Sequence, residues 1–195
     1  MTKLNRLALA LLAALSLTGC MTITDAPAGP LKVGAAKVDL GREWSNLNAV
    51  MLSRHDKVTV LSIDGPLLNQ LYISDALVPG EGLVKTLTKE KPAPALKAGL
   101  SNAERIEFVA DSISALSYQR VQTEKPRPGS YGGHPGVRFD IKASTVDGLD
   151  IVGTALIAEV DGKTYLILYL APSEHYFQAN LADVEHVMAS ATIAG

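Results

Sequence analysis

Val137-Arg138-Phe139-Asp140-Ile141-Lys142-Ala143-Ser144 alternates apolar and polar side chains without a break, and together with the two stretches after it specifies the architecture. Successive side chains of a strand point to opposite faces, so this stretch reads as a strand with one buried and one solvated face. A turn at Asp147-Gly148 leads into a second strand over residues 149–160. Asp161-Gly162, a two-residue hairpin signal, then leads into Thr164-Tyr165-Leu166-Ile167-Leu168-Tyr169-Leu170. That last run has no polar alternation, and a strand apolar on both sides needs cover on both faces. Helices on both faces of a mainly antiparallel sheet meet the need. The expectation is an α+β fold built as an α-β-α sandwich.

The flanking sequence supplies the helices. Ser101 with Glu104 three residues on has the form of a capping box, and Ile106, Val109, Ile113 and Leu116 then share one helical face. This helix is expected to end near Arg120, ahead of Pro126 and Pro128. Ser173 is the expected cap of a final helix with a stripe of Phe177, Leu181, Val184 and Met188. Towards the N-terminus, residues 57–63 are rich in β-branched side chains and close in a turn at Asp64-Gly65-Pro66. Residues 67–74 read as the partner arm, and their single apolar face suggests an outer strand. Residues 33–47, holding Trp44, are a weaker strand candidate, and the Lys- and Pro-rich residues 85–100 read as loop.

The order of helix, three long antiparallel strands and C-terminal helix resembles the Mog1/PsbP-like fold. Three pieces of local sequence add to the likeness: Pro135-Gly136-Val137-Arg138-Phe139-Asp140, Asp161-Gly162-Lys163-Thr164-Tyr165-Leu166, and a helix ending in Ala189-Ser190-Ala191. The resemblance covers residues 44–193. Proteins of this type include a photosystem II extrinsic subunit, a nuclear transport factor that binds a small GTPase, and many bacterial envelope lipoproteins. They share no catalytic residues, so the resemblance implies a binding or assembly role and assigns no site residue. Fold alone does not fix function.

The N-terminus adds an address. Lys3 and Arg6 precede an unbroken run of Leu, Ala and one Ser over residues 7–17, and Thr18 and Gly19 lead into Cys20. A basic start, a short apolar core and small residues before the cut form a signal peptide. The run is shorter than the roughly 18 residues a membrane-spanning helix needs. Leu17-Thr18-Gly19-Cys20 resembles a lipoprotein lipobox, which implies cleavage between Gly19 and Cys20 and lipid on the Cys20 thiol. Cys20 is the single cysteine of 195 residues. An exported chain gains nothing from one unpaired thiol, which strengthens the lipid reading. The chain thus divides into residues 1–19 as signal peptide, 20–32 as lipidated N-terminus and flexible tether rich in Pro and Gly, and 33–195 as one domain. Met21 comes after the cysteine where enterobacterial sorting reads an aspartate as inner-membrane retention, so the outer membrane facing the periplasm is favoured.

Composition excludes some partners. The chain carries 18 basic and 20 acidic residues, a net charge of −2, and cleavage would remove Lys3 and Arg6 to leave −4. Nucleic-acid binders show basic footprints, so nucleic acid is not an expected partner. A membrane, through the lipid, and an envelope protein are.

Candidate chemistry is sparse. Gly129-Ser130-Tyr131-Gly132-Gly133-His134-Pro135-Gly136 reads as a connector before a strand; the alternative is a binding loop presenting Ser130, Tyr131 and His134. It matches neither glycine-rich phosphate pattern. His55, His134, His175 and His186 are not in compact metal-ligand spacing, and the last two stand about three helical turns apart. No catalytic motif occurs, and Asp140, Asp147 and Asp150 read as solvated acids at strand ends. Lys85, Lys89, Lys91, Lys97, Lys125 and Arg127 read as solvated charge in two Pro-containing loops, with contact to anionic lipid headgroups or an acidic partner as the alternative, and Trp44 reads as a core residue. The expected function is therefore a non-enzymatic envelope lipoprotein that binds or supports another component, with no cofactor. A small-molecule or metal-binding lipoprotein is the alternative, and a hydrolase comes third.

Overall fold

The computed structural model describes residues 23–85 and 92–194. The expected signal peptide, Gly19 and Cys20 lie outside them, as do Lys89 and Lys91. Chain order is β1 (Thr24–Ala26), β2 (Gly29–Val33), β3 (Ala36–Leu40), β4 (Trp44–Asn46), β5 (Val58–Ser62), β6 (Gln70–Ser74), α1 (Asn102–Ala115), β7 (Gln119–Tyr131), β8 (His134–Ser144), β9 (Asp150–Val160), β10 (Lys163–Pro172), α2 (Tyr176–Ser190) and β11 (Thr192–Ile193). The main sheet runs β1-β4-β5-β6-β10-β9-β8-β7, and a small one runs β11-β3-β2. Every pairing is antiparallel.

β10 shows why the sheet is covered twice. Leu166, Leu168 and Leu170 point to one side, where Val60, Tyr72, Phe139 and Ile157 join Phe108, Val109 and Ile113 of α1. Tyr165, Ile167 and Tyr169 point to the other, where Trp44, Leu61 and Ile73 meet Val184, Val187 and Met188 of α2 and Val38 and Leu40 of the small sheet. Each fully buried aliphatic side chain contributes about 1.5–3 kcal/mol. The expected α-β-α sandwich is the observed architecture, with the small sheet beside α2 as an addition.

α1 starts as its capping box predicts. Ser101 Oγ accepts from the Glu104 amide at 3.3 Å, and the Glu104 carboxylate accepts from the Ser101 amide at 2.8 Å. It ends at Ala115 rather than near Arg120, because Ser117 (φ 75°) and Arg120 (φ 52°) turn the chain into β7. At α2 the expected cap is corrected. The Ser173 amide donates to the Asp150 carbonyl at 2.9 Å, which prolongs the β9–β10 pairing. His175, at φ 66°, occupies the cap position and makes no side-chain capping hydrogen bond.

Other expectations also change. The tether reading of residues 20–32 fails from Thr24 onward, since β1 and β2 occupy that stretch and Ala26 is buried. Pro30 fits because β2 is an edge strand, where an amide donor is not needed. The domain therefore begins before Val33. β6 is interior, between β5 and β10, rather than an outer strand. Leu67 and Leu68 belong to the preceding turn and distort the alternation; Leu67 is 87% exposed. The Pro126 and Pro128 segment is part of β7, so the meander has four long strands, not three. β7 is the sheet edge, and its register shifts between Glu124 and Arg127, where Lys125 has φ 50°. Prolines and bulges are tolerated there and discourage edge-to-edge pairing. Among the described residues no helix is long and apolar enough to cross a membrane.

Candidate functional site

α2 packs on β3, β10 and β9. On that side of the sheet β8 and β7 continue beyond the helix. This explains the alternation of β8: Val137, Phe139 and Ile141 face the α1 core, while Arg138, Asp140 and Lys142 occupy the face that α2 leaves open. A groove of about 400 Å3 lies between this open face and the helix.

Its helix wall is Phe177, Leu181 and Glu185, four residues apart on one side of α2. Strand register sets the floor and the far wall. Val152 of β9 lies opposite Lys142, Thr154 opposite Asp140, and Leu156 opposite Arg138. Asp140 and Arg138 in turn oppose Glu124 and Arg127 of β7. Phe177 stacks on Tyr169 at 5.8 Å between ring centroids, which fixes the apolar part of the helix wall. Burial pushes the Tyr169 hydroxyl up to about 12, and the hydroxyl donates to the Tyr176 carbonyl at 3.2 Å.

The charges are paired across strands. Arg138 reaches from β8 to Glu185 with two prongs, Nη1 to Oε2 at 2.5 Å and Nη2 to Oε1. Arg138 also lies 3.4 Å from Thr154 Oγ1. Lys142 Nζ stands 2.9 Å from Glu124. Asp140 serves two cations, Arg127 Nη2 at 2.9 Å and Lys125 Nζ at 3.6 Å. Such a site can hold a ligand by charge on one wall and apolar contact on the other.

This groove is not legible in the sequence. Asp140 is not at a strand end but in the middle of β8, and Lys125 and Arg127 are on β7 rather than in a loop. The signal is present in the alternating charges of β8; what is missing is the position of α2.

The stretch over residues 129–136 is not a loop. It is the tip of the β7–β8 hairpin, with Gly132 (φ 59°) and Gly133 (φ 84°) as its two turn residues. Both central residues of such a turn need positive φ, so the glycines serve geometry. Tyr131 points inward, fully buried, with its ring 5.6 Å from that of Tyr165. Burial raises the Tyr131 hydroxyl well above the ordinary phenol range. Ser130 and His134 are exposed. Of the three residues proposed for a binding loop, Tyr131 is not on the surface.

The remaining candidates disperse. His186 is 3.7 Å from Asp39, and His175 meets the Tyr176 ring edge-on. His55 accepts from the Lys57 amide at 3.3 Å. Among the described residues no three His, Cys, Asp or Glu side chains lie close enough to hold a metal ion. Lys85 pairs with Asp56 at 2.7 Å, Lys97 and Asp147 are exposed, and Asp150 stands 4.0 Å from Arg120. Trp44 is in the core at 2% exposure, as expected.

No protein-family profile matches the chain, and no curated protein matches it in sequence. Solved structures do. The solution structure of cyanobacterial PsbP (CyanoP) from Synechocystis sp. PCC 6803 is similar at a TM-score of 0.52 and 12% identity, over 91% of this chain and 96% of that one. The Ran-binding protein Mog1p of Saccharomyces cerevisiae is similar at 0.51 and 9% identity, over 89% and 96%. A point mutant of protein Mog1 gives 0.51 and 8% identity over the same shares. The chain has the Mog1/PsbP-like fold.

Proposed function

We propose that this chain is a non-enzymatic binding or assembly-support protein of the bacterial cell envelope, held at a membrane by lipid on Cys20. The groove beside α2 is its binding surface. The observation that carries the reading is the open polar face of β7 and β8 set against the apolar Phe177–Leu181 wall. A solvated strand face needs no helix beside it; a two-sided groove of this size is the usual form of a ligand site. The polar groups within it are Arg, Lys, Asp, Glu, Ser and Thr, suited to recognition through charge and hydrogen bonds. That one structural neighbour is described as Ran-binding supports a binding role in general terms. The lipobox-like Leu17-Thr18-Gly19-Cys20 supports the envelope, and Met21 after the cysteine supports its outer membrane.

The test is chemical crosslinking of the full chain in native membranes, comparing wild type with the triple variant Lys125→Gln, Arg127→Gln, Lys142→Gln. A variant on the opposite side of the sheet, Lys97→Gln, is the control. A defined adduct lost in the triple variant and kept in the control is the expected result. An adduct indifferent to the groove charges would show that the groove is not the binding surface.

A further inference from the structure

We propose that the groove takes an anionic amphiphile: one long alkyl chain carrying a carboxylate or phosphate headgroup. The proposal rests on the groove being the binding surface and names what it binds.

The charges within the groove favour an anionic headgroup. Lys142 has Glu124, and Arg138 has Glu185, one acid to one base. Lys125 and Arg127 share the single carboxylate of Asp140. One positive charge is therefore uncompensated at this spot, and Lys125 and Arg127 are 76% and 40% exposed along their side chains. An arriving anion would complete a two-to-two arrangement without displacing an existing pair. A neutral or cationic headgroup would not.

Geometry points to the tail. Phe177 and Leu181 line the helix side, and Val152 lies below them on β9. The Arg138–Glu185 pair bridges sheet and helix at the Leu156 level, so it closes the groove at one end. The apolar stretch runs from that bar towards Ser173. An alkyl chain lying along it would bury its methylenes at about 0.8 kcal/mol each by general transfer energetics. A polar peptide strand would gain less there, and β7 discourages strand addition through its prolines and bulges.

The experiment uses the full chain in uncharged maltoside micelles with three photoreactive probes. These are a diazirine-bearing long-chain fatty acid, its methyl ester, and a lysophosphatidate with the same chain. Labelled peptides are mapped by mass spectrometry. The expected result is labelling of peptides spanning Phe177 and Leu181 by the acid and the lysophosphatidate. It should fall about tenfold or more in Lys125→Gln, Arg127→Gln and persist in Lys125→Arg, Arg127→Lys, since the lost term is charge. Circular dichroism melting of each variant shows whether the fold is kept. Labelling by the acid alone assigns a free fatty acid as the source, and labelling by the phosphate probe alone assigns a lysophospholipid. Equal labelling of the groove by the methyl ester, or labelling unchanged in the Gln variant, overturns the proposal. So does labelling confined to other surfaces; a protein-sized membrane adduct that still depends on the groove charges would then leave the binding surface standing and the amphiphile excluded.

Discussion

Arg138 on β8 and Glu185 on α2 form a two-pronged ion pair that ties the sheet to the C-terminal helix across one end of the groove. Arg138 is 20% exposed and Glu185 45%, so solvent screens much of the attraction. The geometry still favours the pair, because a guanidinium fork meets a carboxylate without rearrangement. Arg138→Ala is expected to cost about 1–2 kcal/mol in urea unfolding, and a double-mutant cycle with Glu185→Ala to give a coupling of about 1 kcal/mol. Additivity of the two losses would show that the pair contributes nothing.

Gly34 sits at the β2–β3 turn with φ +59°, and a Cβ there would lie 1.9 Å from Asp75 Oδ2. Asp75 uses its carboxylate to accept from the Ala35 amide at 2.7 Å, so it cannot simply withdraw. Gly34→Ala should destabilise by at least about 2 kcal/mol, from backbone strain and the clash together. In an Asp75→Ala background the same change should cost less, since only the strain remains. Equal costs in both backgrounds would refute the clash.

Glu81 provides a pH test. Partial burial raises its carboxyl, but hydrogen bonds from Lys57 and the Val78 amide, with the Lys57 charge, outweigh this and hold it below the usual value of 4.5. A carboxyl depressed in the folded state contributes stability above its unfolded pKa and loses it as pH falls through the folded one. Stability should thus decline with acid below about pH 4.5, and Glu81→Gln should flatten part of that decline. An acid limb unchanged by the substitution would contradict the assignment.

Two buried tyrosines should respond differently to loss of their hydroxyls. Tyr169 donates to Tyr176, whereas the Tyr131 hydroxyl has no hydrogen-bond partner among the described residues. Tyr169→Phe is expected to cost about 1 kcal/mol and Tyr131→Phe close to nothing, measured by thermal unfolding. The reverse order would mean that Tyr131 is held by a contact other than packing.

Sequence alone reveals the layers because β8 and β10 carry opposite signals. Alternation in Arg138, Asp140 and Lys142 marks an open face, and its absence from Tyr165 to Leu170 marks a covered one. The capping box at Ser101 locates α1 for the same local reason. Boundaries set by long-range contacts are not legible. Pro30 and Pro128 look like breakers until their strands prove to be edges, and Leu67 looks like strand until the turn claims it. The groove is hidden for a related reason: Phe177 and Leu181 read as core beside Val184 and Met188. Only the lateral position of α2 separates the buried pair from the pair that lines the groove.

The most direct test of the groove as the binding surface is site-directed photocrosslinking in the native envelope. Benzoylphenylalanine is placed at Ser173, in the groove, or at Asp111, exposed on α1 across the sheet. A binding groove predicts one defined adduct from position 173, suppressed by Lys125→Gln and Arg127→Gln, and none of that size from position 111. An adduct from position 111 alone, or the same adduct from both, would contradict it.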